Sequence, residues 1–333
     1  MKYLLLFASY LFICPALKAQ DQAIQLSGNA QGTTYHITYI DPLHRNFEQD
    51  IALLLAHFDS SLSTYLPNSI ISRVNANDKK VRLDSLFITC FNKGKEVWRS
   101  TEGAFDPTVY PIVNAWGFGP GKKQFLDSAL VDSILKFVGF ELISIQKNKV
   151  VKKDPRVALD FNAFAQGFSV DVVARFLKSK GVFSFLVEIG GEVYASGKKA
   201  DASLWTVGIE QPFDNKEGHN EIKAIVSMHN LAMATSGNYR RYTEIKGVKY
   251  AHHIDPHTGY PTQNNLLSAS VFAADCISAD AYATGLLVMG LEKSMIFLKA
   301  HSELQAYLIY SDEKGNFQVF QTPGLNTILA ATE

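Results

Sequence analysis

From Ser278 to Gly290 the chain reads SADAYATGLLVMG, a run so rich in small and apolar residues that a helix built from it must be buried. Ala279, Ala281, Ala283, Leu286, Leu287, Val288 and Met289 leave it no polar face. Into this setting the sequence places Asp280 and, four residues on, Thr284, and such a pair shares one face of a helix. A carboxylate in apolar surroundings is costly unless it is paired or bound to a cation. Two readings stay open at this point. Asp280 caps a helix that begins one residue later. Or Asp280 and Thr284 offer hard oxygen donors to a hydrated divalent ion such as Mg²⁺, whose shell a substrate's phosphates would complete.

The rest of the composition narrows the partners. The 333 residues carry 32 basic and 32 acidic side chains, so no basic excess suggests nucleic acid and no acidic tail suggests a solvating arm. A hydrophobic content of 47% is ample for a packed core. Met1-Lys2 precedes an apolar run that ends at Leu17, and Lys18-Ala19-Gln20 follows. This pattern reads as a secretory signal peptide over residues 1–19, too short to span a membrane. Ile13 stands before Cys14 where a lipoprotein signal calls for a small residue, so no lipid anchor is expected. Cleavage leaves Cys90 and Cys276, too few for a disulfide framework, and both are expected as free, buried thiols. The expected product is exported, periplasmic or otherwise extracytoplasmic, and soluble.

In chain order, TTYHITYI within Gln25–Ile40 reads as a strand, and Phe47–Leu62 and Asp84–Ser100 read as amphipathic helices. Ser61–Asn75 is a polar loop followed by a short helix, and Thr101–Gly121, dense in Gly, Pro and aromatics, is a structured loop in which Asp106-Pro107 can open a turn. Ser128–Val138 reads as a helix and Ile143–Lys152 as a hairpin. Within Arg156–Gly181, VALDF reads as a strand, NAFAQG as a tight turn and FSVDVVARFLKSKG as a helix closed by Gly181. A strand, a turn of small residues and a helix N-terminus make a place for phosphate, although the turn lacks the glycines of a dinucleotide loop. Phe185–Ser196, Trp205–Glu210, Lys223–Met233 and Ser268–Ala273 read as strands, with Gly190-Gly191 a bulge or close backbone approach. Ala306–Ile309 and Phe317–Gln321 form a last hairpin.

Two constellations invite sharper chemistry. His252, His253, Asp255 and His257 cluster in YAHHIDPHTGYP, but no second ligand cluster and no CxxC support zinc. His252 fits better as a base or a donor to a phosphate. Ser236 in ATSGN does not sit in the GxSxG elbow of a serine hydrolase.

Eight segments together resemble the ApbE family of FAD:protein FMN transferases. They are GTTYHITY at Gly32–Tyr39, STYLPNSIISRVN at Ser63–Asn75, GAFDPTVYPIVNAWGFGP at Gly103–Pro120 and LDFNAFAQGFSVD at Leu159–Asp171. EIGGEVYASG at Glu188–Gly197, ATSGNYRRY at Ala234–Tyr242, HHIDPHTGYP at His252–Pro261 and SADAYATGLLVMG at Ser278–Gly290 complete the set, in the family's order. The resemblance implies an α+β, ApbE-like flavin transferase fold with mixed sheets and flanking helices, filling residues 20–333. It implies Mg²⁺-dependent transfer of FMN from FAD onto a Thr or Ser hydroxyl of an exported flavoprotein, with release of AMP. On that analogy Asp280, Thr284 and the backbone oxygen of Ala163 would bind the metal. Tyr65, Ala104, Phe105, Asp106, Asp160, Gln166 and Ile254 would line the flavin nucleotide, and His252 would help deprotonate the acceptor.

The family's turn usually reads GGxAKG, whereas this chain has Asn162-Ala163-Phe164-Ala165-Gln166-Gly167. Gln166 can hydrogen-bond but carries no charge, so weaker nucleotide binding or altered phosphate contacts are expected, and Phe164 is expected to add bulk. Two further functions share the same site. One is an Mg²⁺-dependent FAD pyrophosphatase yielding FMN and AMP, and the other is a non-catalytic exported flavin-binding protein. The expected partners are FAD and an acceptor flavoprotein, with a membrane-associated acceptor compatible and no nucleic acid.

Overall fold

The computed structural model describes residues 22–329 apart from 122–123, 125, 213–220, 239–241 and 246–247, so the signal reading of residues 1–19 lies outside the described residues. Its centre is an eight-stranded sheet in the spatial order Ile24–Ala30, Thr33–Ile40, Ser184–Ile189, Glu192–Ser196, Leu231–Gly237, Leu266–Ala273, Gln305–Ser311, Phe317–Gln321. Every neighbouring pair in it runs antiparallel. With its flanking helices this is an α+β fold.

The side chains of the central strands alternate between two apolar layers, as the period of two requires. Ala232 and Ala234 point into the large core, while Met233 between them points into a smaller one. Tyr194 faces the large core and Val193 and Ala195 the small one; Ala306 and Leu308 likewise oppose Tyr307 and Ile309. The hairpin of Trp205–Glu210 and Ile222–Met228 supplies the small layer, through Trp205, Val226 and Met228. Helices Ala165–Ser179 and Cys276–Met289 cover the other face, packed on the strands and on each other. Because both faces are covered, the central strands are apolar almost continuously. No helix among the described residues is long and apolar enough to cross a membrane.

Several segments differ from the sequence reading for identifiable reasons. Thr33–Ile40 is a strand, but it is the second arm of a hairpin whose Gln31-Gly32 turn has φ of +55° and +75°. Residues 157–161 are not a strand. Their backbone is held instead by Asn75, whose Oδ1 accepts from Leu159 N and whose Nδ2 donates to Leu159 O, both at 2.8 Å. Asp160 N donates to Pro107 O at 2.7 Å, so this segment satisfies its polar groups without a ladder. The following helix begins at Ala165 rather than Phe168, because Ala165 N and Phe168 N already bond back to Phe161 O and Phe164 O.

Lys223–Met233 is two strands in different sheets, divided at His229-Asn230, where Asn230 has φ +50°. Gly190-Gly191 is the two-residue turn of a hairpin, at φ +68° and +106°. The loop 101–121 contains a 3₁₀ turn at Pro107–Val109, opened by Asp106, and a helix at Tyr110–Trp116. Cys90 and Cys276 are free and buried, and burial pushes both thiols up.

Candidate functional site

The Cys276–Met289 helix positions the polar pair that the sequence singled out. Asp280 is not its cap. Asp275 holds that place and accepts from Ser278 N at 3.0 Å, so Asp280 falls in the second turn, 6% exposed. Thr284, one turn on, donates through Oγ1 to Ala163 O at 3.2 Å and shares a 3.2 Å hydrogen bond with Ser236 Oγ. Asp280 Oδ2 accepts from Gly167 N at 3.0 Å. Burial pushes the Asp280 carboxyl up to about 7, with the nearby Asp171 adding to the effect of burial.

The turn at 160–167 faces this helix. Asn162 N donates to Asp160 Oδ1 at 2.8 Å, and Asn162 Nδ2 reaches Thr64 Oγ1 at 3.0 Å. Asp160 is half-buried by accessible surface, yet protein surrounds its carboxyl closely enough that lost solvation pushes it up to about 6. Gln166 lies over the Gly190 turn, where a Cβ on Gly190 would stand 2.5 Å from Gln166 Nε2. Phe164 leaves the cleft altogether: it is fully buried, edge-on to Phe105 at 5.2 Å and to Phe161 at 5.5 Å. The bulk expected of it goes into the core.

Opposite stands the 104–107 loop. Asp106 accepts from Thr108 N at 2.7 Å and Thr108 Oγ1 at 2.6 Å, and burial pushes its carboxyl up to about 6. Tyr65, 62% exposed, stands at the rim. His252 and His253 form a wall with ring centroids 4.0 Å apart, followed by Ile254, which bridges to Pro261. Burial and the neighbouring His252 push the pKa of His253 well below its ordinary value, so that ring is neutral.

All eleven side chains or backbone positions named from sequence line one cleft of about 310 Å³: Tyr65, Ala104, Phe105, Asp106, Asp160, Ala163 with Gln166, and His252, Ile254, Asp280 with Thr284. Asp280, Thr284 and Ala163 bring only hard oxygens to the cleft, a carboxylate, a hydroxyl and a carbonyl, which is the set that Mg²⁺ prefers. A buried carboxyl pushed up to about 7 is one that a cation would return to its ionised form. The donor set therefore fits a divalent ion.

The sequence reading missed three parts of this arrangement. Asp171 accepts from Cys276 N at 2.8 Å and Ile277 N at 2.9 Å, satisfying the exposed donors of the helix that carries Asp280. Ser236 joins the oxygens at Thr284. Gly167 lies where helix meets helix, and any Cβ there would collide with the Cys276 carbonyl oxygen. Only Gly167 gave a local hint, as a glycine in the first turn of a helix.

Comparison with known proteins matches the geometry to a family. The model of the ApbE family matches residues 31–308. The FAD:protein FMN transferase of Haemophilus influenzae is 35% identical over 315 residues, covering 90% of each chain. That of Vibrio cholerae is 35% identical over 321 residues, covering 93% of this chain and 94% of the relative. Among solved structures, the flavin transferase ApbE of Vibrio cholerae superposes with a TM-score of 0.82 at 32% identity, covering 92% and 99% of the two chains. The apo flavinyl transferase ApbE of Pseudomonas stutzeri gives 0.83 at 30% identity, covering 94% and 98%. By sequence and by fold, this chain belongs to the ApbE family of flavin transferases.

Proposed function

We propose that this enzyme transfers the FMN half of FAD onto a Thr or Ser hydroxyl of an extracytoplasmic flavoprotein, with Mg²⁺, and releases AMP. The observation that carries this reading is the convergence of oxygen donors, several carboxylates and a histidine on one cleft. It is supported by relatives that bear the name FAD:protein FMN transferase over nearly their whole length.

In this reading Asp280, Thr284 Oγ1 and Ala163 O hold the metal, with Gly167 N and Asp171 fixing the helix that carries Asp280. When bound, the ion neutralises charge on the pyrophosphate. Tyr65, Ala104, Phe105, Asp106, Asp160, Gln166 and Ile254 hold and orient the nucleotide, excluding water from the reacting phosphorus. The acceptor's oxygen forms a bond to the FMN phosphorus as the phosphorus–oxygen bond to AMP breaks. A ring nitrogen of His252, which lines the cleft, takes the hydroxyl proton. Export is inferred from the signal-like residues 1–19.

The test incubates the protein with FAD, Mg²⁺ and a candidate acceptor, then follows covalent flavin fluorescence on the acceptor together with free AMP and FMN. Labelled acceptor with AMP is the expected result. Free FMN with AMP and no label would mean that water is the acceptor, and intact bound FAD would mean a flavin binder.

A further inference from the structure

A second hollow, of about 550 Å³, adjoins the cleft, and Ala104 and Val288 line both. Its far wall is the Leu291–Ala300 helix, which buries only Ser294 and Leu298 among its residues. That helix turns Ile296 outward at 73% exposure and Met295 at 38%. Ile296 and Phe297, with Met289, make an apolar side to the hollow, and Lys293 and Glu102 stand in its lining. The Glu102-Gly103 turn that carries Ala104 is set at φ +52° and +87°, and His257 Nε2 lies 3.0 Å from Glu102 O. His257 Nδ1 in turn lies 3.0 Å from Asp255 Oδ1, so the turn that carries Ala104 is braced.

We infer that this hollow seats the acceptor protein: an extended segment carrying the reactive Thr or Ser, with an apolar side chain against Ile296, Met289 and Phe297. The inference rests on the transferase reading above. A transferase needs two substrates side by side, and the carboxylates and oxygen donors that suit a nucleotide all lie in the first cleft. The second adjoins it at Ala104 and Val288, so a chain lying there runs beside the nucleotide's cleft. An apolar patch beside a polar site is the usual mark of a protein partner.

The test uses the full chain loaded with FAD and Mg²⁺, and as probe the candidate acceptor of the flavin-transfer assay above. Ile296→Glu is expected to raise the acceptor KM at least tenfold while the FAD dissociation constant and the thermal midpoint stay at the wild-type values. Ile296→Leu is expected to retain a near wild-type KM. An unchanged acceptor KM in Ile296→Glu would overturn the inference. So would a weakened FAD affinity in that variant, which would put part of the nucleotide in the hollow. Failure of the wild-type protein to label the acceptor at all would remove the transferase reading, and the inference with it.

Discussion

Replacing Gly167 with Ala adds one methyl group where the structure leaves no room. Its Cβ would stand 2.8 Å from Asp280 Cβ and 2.9 Å from Cys276 C, with the Cys276 carbonyl oxygen closer still. None of these is the end of a flexible side chain. Ordinary contact needs 3.4–4 Å, so the two helices must part by roughly 1 Å. Overpacking of this kind costs about 1–3 kcal/mol, offset by up to about 1 kcal/mol from the better helix propensity of Ala. Net destabilisation of about 1–2 kcal/mol follows. The same movement stretches the 3.0 Å bond from Gly167 N to Asp280 Oδ2 beyond hydrogen-bonding range. A displacement of about 1 Å at a reacting centre can cost on the order of 100-fold. The assay is thermal denaturation with and without Mg²⁺, alongside a Mg²⁺ titration of flavin transfer. The variant should show a lower midpoint without metal and need about 10–100-fold more Mg²⁺ for half-maximal rate. A variant with the wild-type midpoint and Mg²⁺ requirement would refute this reasoning.

Asp280→Asn, or removal of divalent ions by chelation, should abolish metal-dependent turnover while the protein still folds, as circular dichroism would verify. Burial holds the Asp280 carboxyl up to about 7, so protons compete with the ion. Apparent Mg²⁺ affinity should therefore fall about tenfold per pH unit below that value, read by titration at several pH values. Without metal the same group binds more protons folded than unfolded, so its contribution to stability declines as pH rises from about 4 towards 7. Asn75→Ala removes both bonds to Leu159 and should destabilise by about 1–3 kcal/mol in urea denaturation, with weakened FAD binding through Asp160. The Arg45 guanidinium holds Asp41 down to about 2, so its stabilisation is full above about pH 4 and is lost as pH falls through 2. Asp41→Asn should flatten that part of the acid denaturation curve.

Local chemistry carried the reading furthest where partners are near in sequence. Asp280 and Thr284 sit one helical turn apart, so their meeting was legible from spacing alone. The helix Ser85–Ser100, capped by Asp84, and the hairpin through Lys147-Asn148 were legible for the same reason. Residues 157–161 have the composition of a strand, and only the Asn75 side chain, 84 residues away, explains why they are none. Asp171 lies 105 residues before Cys276, and Ser236 lies 48 before Thr284, so no local pattern announces either contact. Periodicity also could not tell one strand from two in 223–233, because both halves are apolar and the break is a left-handed Asn230.

The pairing of Thr33–Ile40 with Ser184–Ile189 has a consequence for how the enzyme comes into being. Everything from residue 41 to 183, including Tyr65, the 104–106 loop and the Asp160 turn, is looped out between those two neighbouring strands. Closing so long a loop before the ladder rewards it is slow. One wall of the cleft thus belongs to the loop and the other to strands and a helix that come later in the chain. A chain lacking either wall cannot complete the cleft, so nucleotide binding reports that the strands and helix up to Val288 have closed on the looped-out part.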